Sequence, residues 1–556
     1  MVTASGSARA VALAFAPALW ALSGGGPAAA HPSGDPDCYA PPFSLLVSPC
    51  VPHDVPAGPS ATVAELAFFA WQEFIALNWM ALDPPSSGQR GRPVAPTDPM
   101  SGFFGVKPDA EGNYPLVVWQ TYRHKNEMFP ADGNTEPSFD SPFPIYSYAN
   151  QPTPATGGPI PSFSLFNNLD ETSQIGLDNM YAYATTTVQP AAPAPATGTR
   201  VAYEAKVNRA VFNYVVQNGF TNAGTSTNPY PTLNAALSNT QSNLPKVAGT
   251  CSTTVTGPIV MLPCGDINVD GDAGEGAIEI KAAWRKLTDG ELKGGRFFTR
   301  KVIYYTGPQN NQVYHNDVWG LVSLHIIHKT KSFPAFVFAS WEQVDNYDDS
   351  ATGSKNPNQQ NLAFQNTGTN LQNIPVKRAN PIHSVVAQTN ADVHDTFKAA
   401  DPDTVWQYYE LIGVQATPVD FPPTGASQDD LSYYFLANIM VETNQTLQNF
   451  TGGAPGGVVV KGIDNVTING KQVSMGGCQG CHGFQAQLIG GDMSRLIAAA
   501  PFNAIVPESL DAGAGRSVRT YRQRSKGVVV SNGVDLPDGV SRWQLKHGTG
   551  KIPDRR

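Results

Sequence analysis

Gly476-Gly477-Cys478-Gln479-Gly480-Cys481-His482-Gly483 contains Cys-x-x-Cys-His, the signature at which a c-type haem is attached. Two thiols at this spacing can reach the two vinyl groups of one macrocycle and close thioethers. The adjacent His482 is then placed to give a ring nitrogen to the iron. Gly476, Gly477, Gly480 and Gly483 remove side-chain bulk where backbone must approach a flat ring. Two other readings of the cysteines fit less well. A thiol redox pair belongs to a Trp-Cys-Gly-Pro-Cys type of surround in a βαβ unit, which is missing here. Structural zinc takes four ligands, usually from two spaced pairs, and the chain has no second Cys-x-x-Cys. The stretch predicts one covalent haem c on Cys478 and Cys481, with His482 as the proximal iron ligand.

Outward from this segment, the compartment agrees. Arg9 is the only charged side chain in residues 1–30, Val11–Leu22 is an apolar run, and Ala28-Ala29-Ala30 offers small residues for cleavage, the pattern of a secretory signal. The run is too short to span a bilayer, so we expect an exported bacterial protein, periplasmic or secreted, with no membrane span. Of six cysteines, two go to haem. The other four form two closely spaced pairs, Cys38 with Cys50 and Cys251 with Cys264, each able to close a small loop as a disulfide in an oxidising compartment. On sequence alone the crossed pairing stays open.

Only 15% of residues are charged, while Gly (52) and Pro (47) abound, a composition of loop-rich globular chains rather than helical bundles. The whole chain carries −9, and loss of Arg9 with the signal makes it −10. Residues 516–556 hold ten Lys/Arg against three Asp/Glu, a surplus of seven, which leaves the rest near −17. An acidic body argues against nucleic acid as a partner, and the basic tail is read as solvated or as a docking arm.

The elements follow in order. Thr62 and Glu65 make a capping box before a helix over residues 61–80. Leu116–Trp119 reads as a short strand, Tyr203–Val216 as a helix, and residues 220–262 as irregular. Ile278–Leu287 is amphipathic, with Lys281 and Arg285 four apart and able to meet haem propionates. Arg296–Tyr305 and Ala335–Glu342 alternate as strands, residues 346–375 form a loop, and Leu431–Phe450 is a helix leading to the haem segment. His325 and His328 sit in an apolar run, Trp319–His328; on a helix they would lie one turn apart on one face. Asp266, Asn268, Asp270 and Asp272 set oxygens on alternate residues with Gly271 for a turn, as in the first half of a calcium loop. Ala277 stands where the bidentate Glu belongs, with Glu275 or Glu279 as substitutes, and an acidic surface turn is the other reading. The expected architecture is α+β: a signal at 1–30, an N-terminal arm at 31–60, one large loop-rich haem-bearing body at 61–510, and a basic tail at 511–556. Fewer than forty residues separate His482 from the basic stretch, too few for an appended small helical cytochrome.

Several stretches together resemble a set of large secreted bacterial proteins described as cytochrome c family proteins. These are Phe69-Ala-Trp-Gln-Glu-Phe-Ile-Ala-Leu-Asn-Trp79, Trp119-Gln-Thr-Tyr122, Ile278-Glu-Ile-Lys-Ala-Ala-Trp-Arg285, Gly320–Thr330, Trp341–Asn346 and Leu436–Thr443, with the single Cys-x-x-Cys-His near the C-terminus. The resemblance covers most of residues 61–490. It implies one covalent haem and no settled reaction.

Function turns on what meets the iron opposite His482. Met493 lies only eleven residues on and His547 is in the tail, which leaves Met440, Met475, His325 and His328. Core histidines bonded to backbone are the plainer reading of the last two. A second imidazole favours a lower potential than Met and electron transfer with a redox partner protein. An open iron site would favour a peroxidase- or oxygenase-type oxidoreductase acting on a small-molecule substrate. The chain's size speaks for the second reading, the export signal and haem for the first.

Overall fold

The computed structural model describes most of residues 47–142, 201–346 and 382–416, several short strands elsewhere, and Cys478, Gln479, His482 and 489–500 near the C-terminal end. The signal, Cys38, Cys481 and the Leu431–Phe450 helix lie outside the described residues, as does nearly all of the basic tail.

Helix α1 (Val63–Leu77) begins where the capping box requires. Thr62 N–H donates to Glu65 Oε2 at 2.8 Å, and Glu65 N–H returns a bond to Thr62 Oγ1 at 3.3 Å. Past its first turn the helix is buried nearly all round, from Leu66 to Leu77, so it is a core element rather than a surface helix. Helices α2 (Arg209–Gln217), α3 (Pro231–Ser242), α4 (Ser384–Ala400) and α5 (Arg495–Ala499) follow, with shorter helical turns between.

The strands are β1 (Arg123–His124), β2 (Thr153–Pro154), β3 (Asn179–Ala184), β4 (Thr199–Arg200), β5 (Ala202–Val207), β6 (Ala277–Lys286), β7 (Thr299–Thr306), β8 (Val313–Lys329), β9 (Val337–Gln343), β10 (Leu362–Asn366), β11 (Asn373–Pro375) and β12 (Tyr409–Gln415). The main sheet runs β1-β5-β6-β8-β9-β12, antiparallel along that path, with β7 antiparallel and β2 parallel to β8. Strand β8 is the spine. Its residues Trp319–Lys329 pair with β6, while its other edge takes β7 along Val313–Gly320 and β9 along Ser323–His328. Strands β11, β10, β3 and β4 make a second, smaller sheet. Helices together with antiparallel sheets bear out the α+β class.

Alternation along the sheet separates its two faces. On the near face Trp341 meets α1, with ring centroids 6.1 Å from Trp71 and 5.1 Å from Phe74. Asn390 ties α4 to this layer: its Oδ1 accepts from Trp71 Nε1 at 3.0 Å and its Nδ2 donates to Leu411 O at 2.8 Å. The far face, in register across β5-β6-β8-β9-β12, presents Ala205, Lys281, His325, Ser340 and Gly413 in one row and Val207, Glu279, Ile327, Phe338 and Gln415 in the next.

Several expectations change. The segment from Asn316 to Lys329 is strand, so the helical condition that would have put His325 and His328 on one face is not met; buried on both faces and mostly apolar, it has no clear period to tell strand from helix. In Tyr203–Val216 the chain is strand up to Val207. Asn208 then caps α2, its Oδ1 accepting from Val211 N at 3.2 Å while its Nδ2 holds Gly276 O at 2.8 Å. Residues 220–262 contain α3, opened by Pro231 at its first position, where a missing N–H costs nothing. Leu116–Trp119 makes only a single bridge, Met80 to Val117, before a tight 3-10 turn at Val118–Thr121. Residues 346–375, expected as loop, include β10 and β11.

Candidate functional site

The far face of the sheet receives the Cys-x-x-Cys-His segment. Gln479 N–H donates to Gln415 Oε1 at 2.9 Å, and its Nε2 donates to Ala335 O at 3.0 Å. These bonds set the segment against β12 and the entry to β9. Cys478 is half-buried, packs beside the core, and lies outside any disulfide. His482 then comes to rest over the sheet, its ring 4.8 Å from that of Phe338, edge to face, and 6.0 Å from that of His325.

Both rings are held by Nδ1. His482 Nδ1–H donates to the Met493 carbonyl at 2.7 Å, and His325 Nδ1 shares a bond of 2.5 Å with Ser340 Oγ. Burial lowers the His482 pKa to about 3, with Arg495 and Lys281 adding to the effect against the Met493 bond. Burial also pushes His325 well below the usual range, helped by His482 and Lys281. Both imidazoles are therefore neutral at physiological pH, the form that binds metal. A metal-ligating histidine ordinarily gives its other ring N–H to a carbonyl or carboxylate, and His482 does so through Met493. The donor set thus fits haem iron on His482 Nε2, with a thioether from Cys478; Cys481 lies outside the described residues.

His325 and His328 do not share a face. Three positions apart on a strand, they point oppositely. His328 enters the near layer, stacked 5.7 Å from Phe69, with its ring nitrogens bonded to Glu73 Oε1 and to the Glu275 carbonyl. Since a carbonyl only accepts, Nε2 carries a proton, and His328 and Glu73 share another across Nδ1. Burial pushes the Glu73 carboxyl up, partly opposed by His328; burial would lower His328, but Glu73 holds it above its ordinary value. Sequence spacing had paired two histidines that the strand assigns to different environments.

Elsewhere the charged candidates are already engaged. Arg285 bonds Glu291 at 2.5 Å and lies over the Phe297 ring, and Lys281 lies over Tyr203 at 4.7 Å. In the acidic run, Asp266 pairs with Lys331 at 3.2 Å, and Asp272 with Arg92 and Arg209 at 2.8 Å each. Asp270 lies outside the described residues, and Asn268 bonds Asp266. Among the described residues no group of three or more His, Cys, Asp or Glu side chains could hold a metal ion, so the calcium expectation gains no support there. Cys251 and Cys264 are disulfide-bonded; Cys50 is too, and its expected partner Cys38 lies outside. Among the described residues no helix is long and apolar enough to cross a membrane.

No protein-family model matches the chain, and no curated protein or solved structure matches it. Sequence reading missed Gln479 as an anchor, although it stands inside the motif. It also missed the Met493 carbonyl, a backbone group that no residue type announces.

Proposed function

We propose that this protein is an exported monohaem c-type cytochrome that carries electrons, with Cys478, Cys481 and His482 attaching the haem and His325 as the second imidazole. Bound there, haem supplies a one-electron iron couple. The observation that supports the reading is the His325–His482 arrangement: two neutral rings with centroids 6.0 Å apart, each fixed through Nδ1. That separation is of the size two imidazoles on one metal ion require, with metal–nitrogen bonds of about 2 Å each. Bis-imidazole ligation favours a low potential and a ligand-inert iron. The Cys251–Cys264 disulfide is compatible with the oxidising compartment that haem attachment and export imply, and the basic tail would serve to dock an acidic redox partner.

One observation favours a haem-dependent oxidoreductase instead. Tyr203, Lys281 and Glu342 share the His325 face, an ionisable lining that an electron carrier does not need. In that reading His325 carries protons at an open iron site. The test is the pyridine haemochrome of the purified protein together with its reduced spectrum before and after carbon monoxide. Covalent haem with a spectrum indifferent to carbon monoxide supports electron transfer; a carbon monoxide complex supports the oxidoreductase, and extractable haem overturns both.

A further inference from the structure

We infer that the buried Lys329–Asp492 ion pair is a positioning device for His482, acting through the Met493 carbonyl and thereby setting the reduction potential of the iron. The inference rests on the haem reading above and deepens it.

The carbonyl that receives His482 Nδ1–H sits in an uncomfortable turn. Asp492 (φ 51°) and Met493 (φ 67°) are consecutive left-handed residues, and neither is glycine. Such backbone persists only where its surroundings over-determine it, and here they do. Asp492 Oδ2 accepts from Lys329 Nζ at 2.6 Å and from Leu262 N–H at 2.6 Å, with both charged side chains buried. Ser494, one residue past Met493, bonds Glu279 on β6 and caps α5 by accepting from Ile497 N at 3.0 Å. At the turn's entry Gly490 (φ 92°) lies so close to the Leu237 carbonyl on α3 that a Cβ would stand 2.2 Å from that oxygen, so the backbone there has no freedom to drift.

Lys329 closes β8, the strand that also carries His325, and the two share the far face. One strand therefore sets both the imidazole beside His482 and, through Asp492 and Met493, the direction of the His482 ring. A hydrogen bond from Nδ1–H to a fixed carbonyl raises the basicity of the ligating nitrogen, which favours oxidised iron and lowers the potential. Releasing the clamp should weaken that bond and raise the potential.

The experiment measures the midpoint potential of the holoprotein and the proton signal of the His482 Nδ1–H for wild type, Asp492→Asn, Lys329→Met and Lys329→Arg. The double change Lys329→Met with Asp492→Leu guards against simple misfolding, because an apolar pair can replace a buried ion pair without loss of stability. The expected result is an upward shift in the Asn, Met and double variants, with Lys329→Arg near wild type. A tenfold loss in the preference of oxidised over reduced iron for His482 corresponds to 59 mV for one electron. Folded variants that retain covalent haem with unchanged potential and unchanged Nδ1–H signal would overturn the clamp alone. A wild-type protein without covalent haem would overturn the haem reading and the clamp together.

Discussion

The rings of His325 and His482 lie with centroids 6.0 Å apart and planes inclined by 39°, although one belongs to the central strand and the other to the Cys-x-x-Cys-His segment. Each is anchored by Nδ1, to Ser340 and to the Met493 carbonyl, so neither depends on the other for its orientation. His328, on the same strand, is turned to the opposite face and bonded to Glu73. The two histidines of one apolar run thus separate by strand parity into one beside His482 and one inside the core.

That separation gives opposite outcomes for two similar substitutions. In holoprotein, His325→Ala should convert a six-coordinate spectrum to five-coordinate and open carbon monoxide binding. His328→Ala should leave the spectrum as it was but strand Glu73 in the core, at a cost of about 3–5 kcal/mol in urea unfolding. A spectral change in the second variant and none in the first would refute the assignment.

Much of the frame was legible in the chain, for local reasons. Thr62 with Glu65 announces α1 because a capping box satisfies two orphan N–H groups reciprocally. The covalent-haem expectation at Cys478, Cys481 and His482 rests on the motif's spacing alone, with Cys481 outside the described residues. Strand β8 was not legible as a strand because Leu321, Val322, Leu324, Ile326 and Ile327 are buried on both faces, and a doubly buried strand shows no alternation. Asn208 marked the start of α2, yet the residues before it carry enough helix formers to extend the pattern backwards. Lys329–Asp492 and the Met493 carbonyl could not be foreseen, since they arise from chain segments brought together only by the sheet.

Gln479 docks the Cys-x-x-Cys-His segment through its own side chain, and this is separable from the proposed haem attachment. Gln479→Ala removes the bonds to Ala335 O at 3.0 Å and Phe336 O at 3.4 Å and leaves buried carbonyls without them. We expect a loss of about 1–3 kcal/mol in stability, with haem staining on a denaturing gel unchanged. Loss of the stain with stability intact would show that Gln479 serves attachment rather than docking.

The Cys251–Cys264 bridge closes a loop with a sequence separation of 13 between α3 and the start of the acidic run. The chain-entropy argument puts its stabilisation at about 3 kcal/mol. Replacing both cysteines by Ala should lower stability by about that amount, and a thiol reductant should lower wild type by more than it lowers the variant, which keeps only the bridge at Cys50. Equal sensitivity of both proteins to reductant would place the effect elsewhere, at Cys50.

Acid stability should be governed in part by Glu127, which sits buried between two guanidinium groups. Arg90 Nη2 donates to its Oε1 at 2.9 Å, Arg123 Nη1 donates to the same oxygen at 2.7 Å, and His124 N–H donates to Oε2 at 2.8 Å. Burial alone would raise this carboxyl; Arg90 and Arg123 more than offset it and bring it down to about 2 from an ordinary 4.5. A depressed acid binds fewer protons folded than unfolded, so its stabilisation is complete above about pH 4.5 and disappears as pH falls toward 2. The difference corresponds to roughly 3 kcal/mol. In Glu127→Gln the carboxylate is gone while both guanidinium groups remain buried, so stability at pH 7 should fall by about 3–5 kcal/mol. The decline between pH 4.5 and 2 should be correspondingly shallower than in wild type. Parallel acid limbs for the two proteins in urea unfolding at stepped pH would show that some other carboxylate controls the transition.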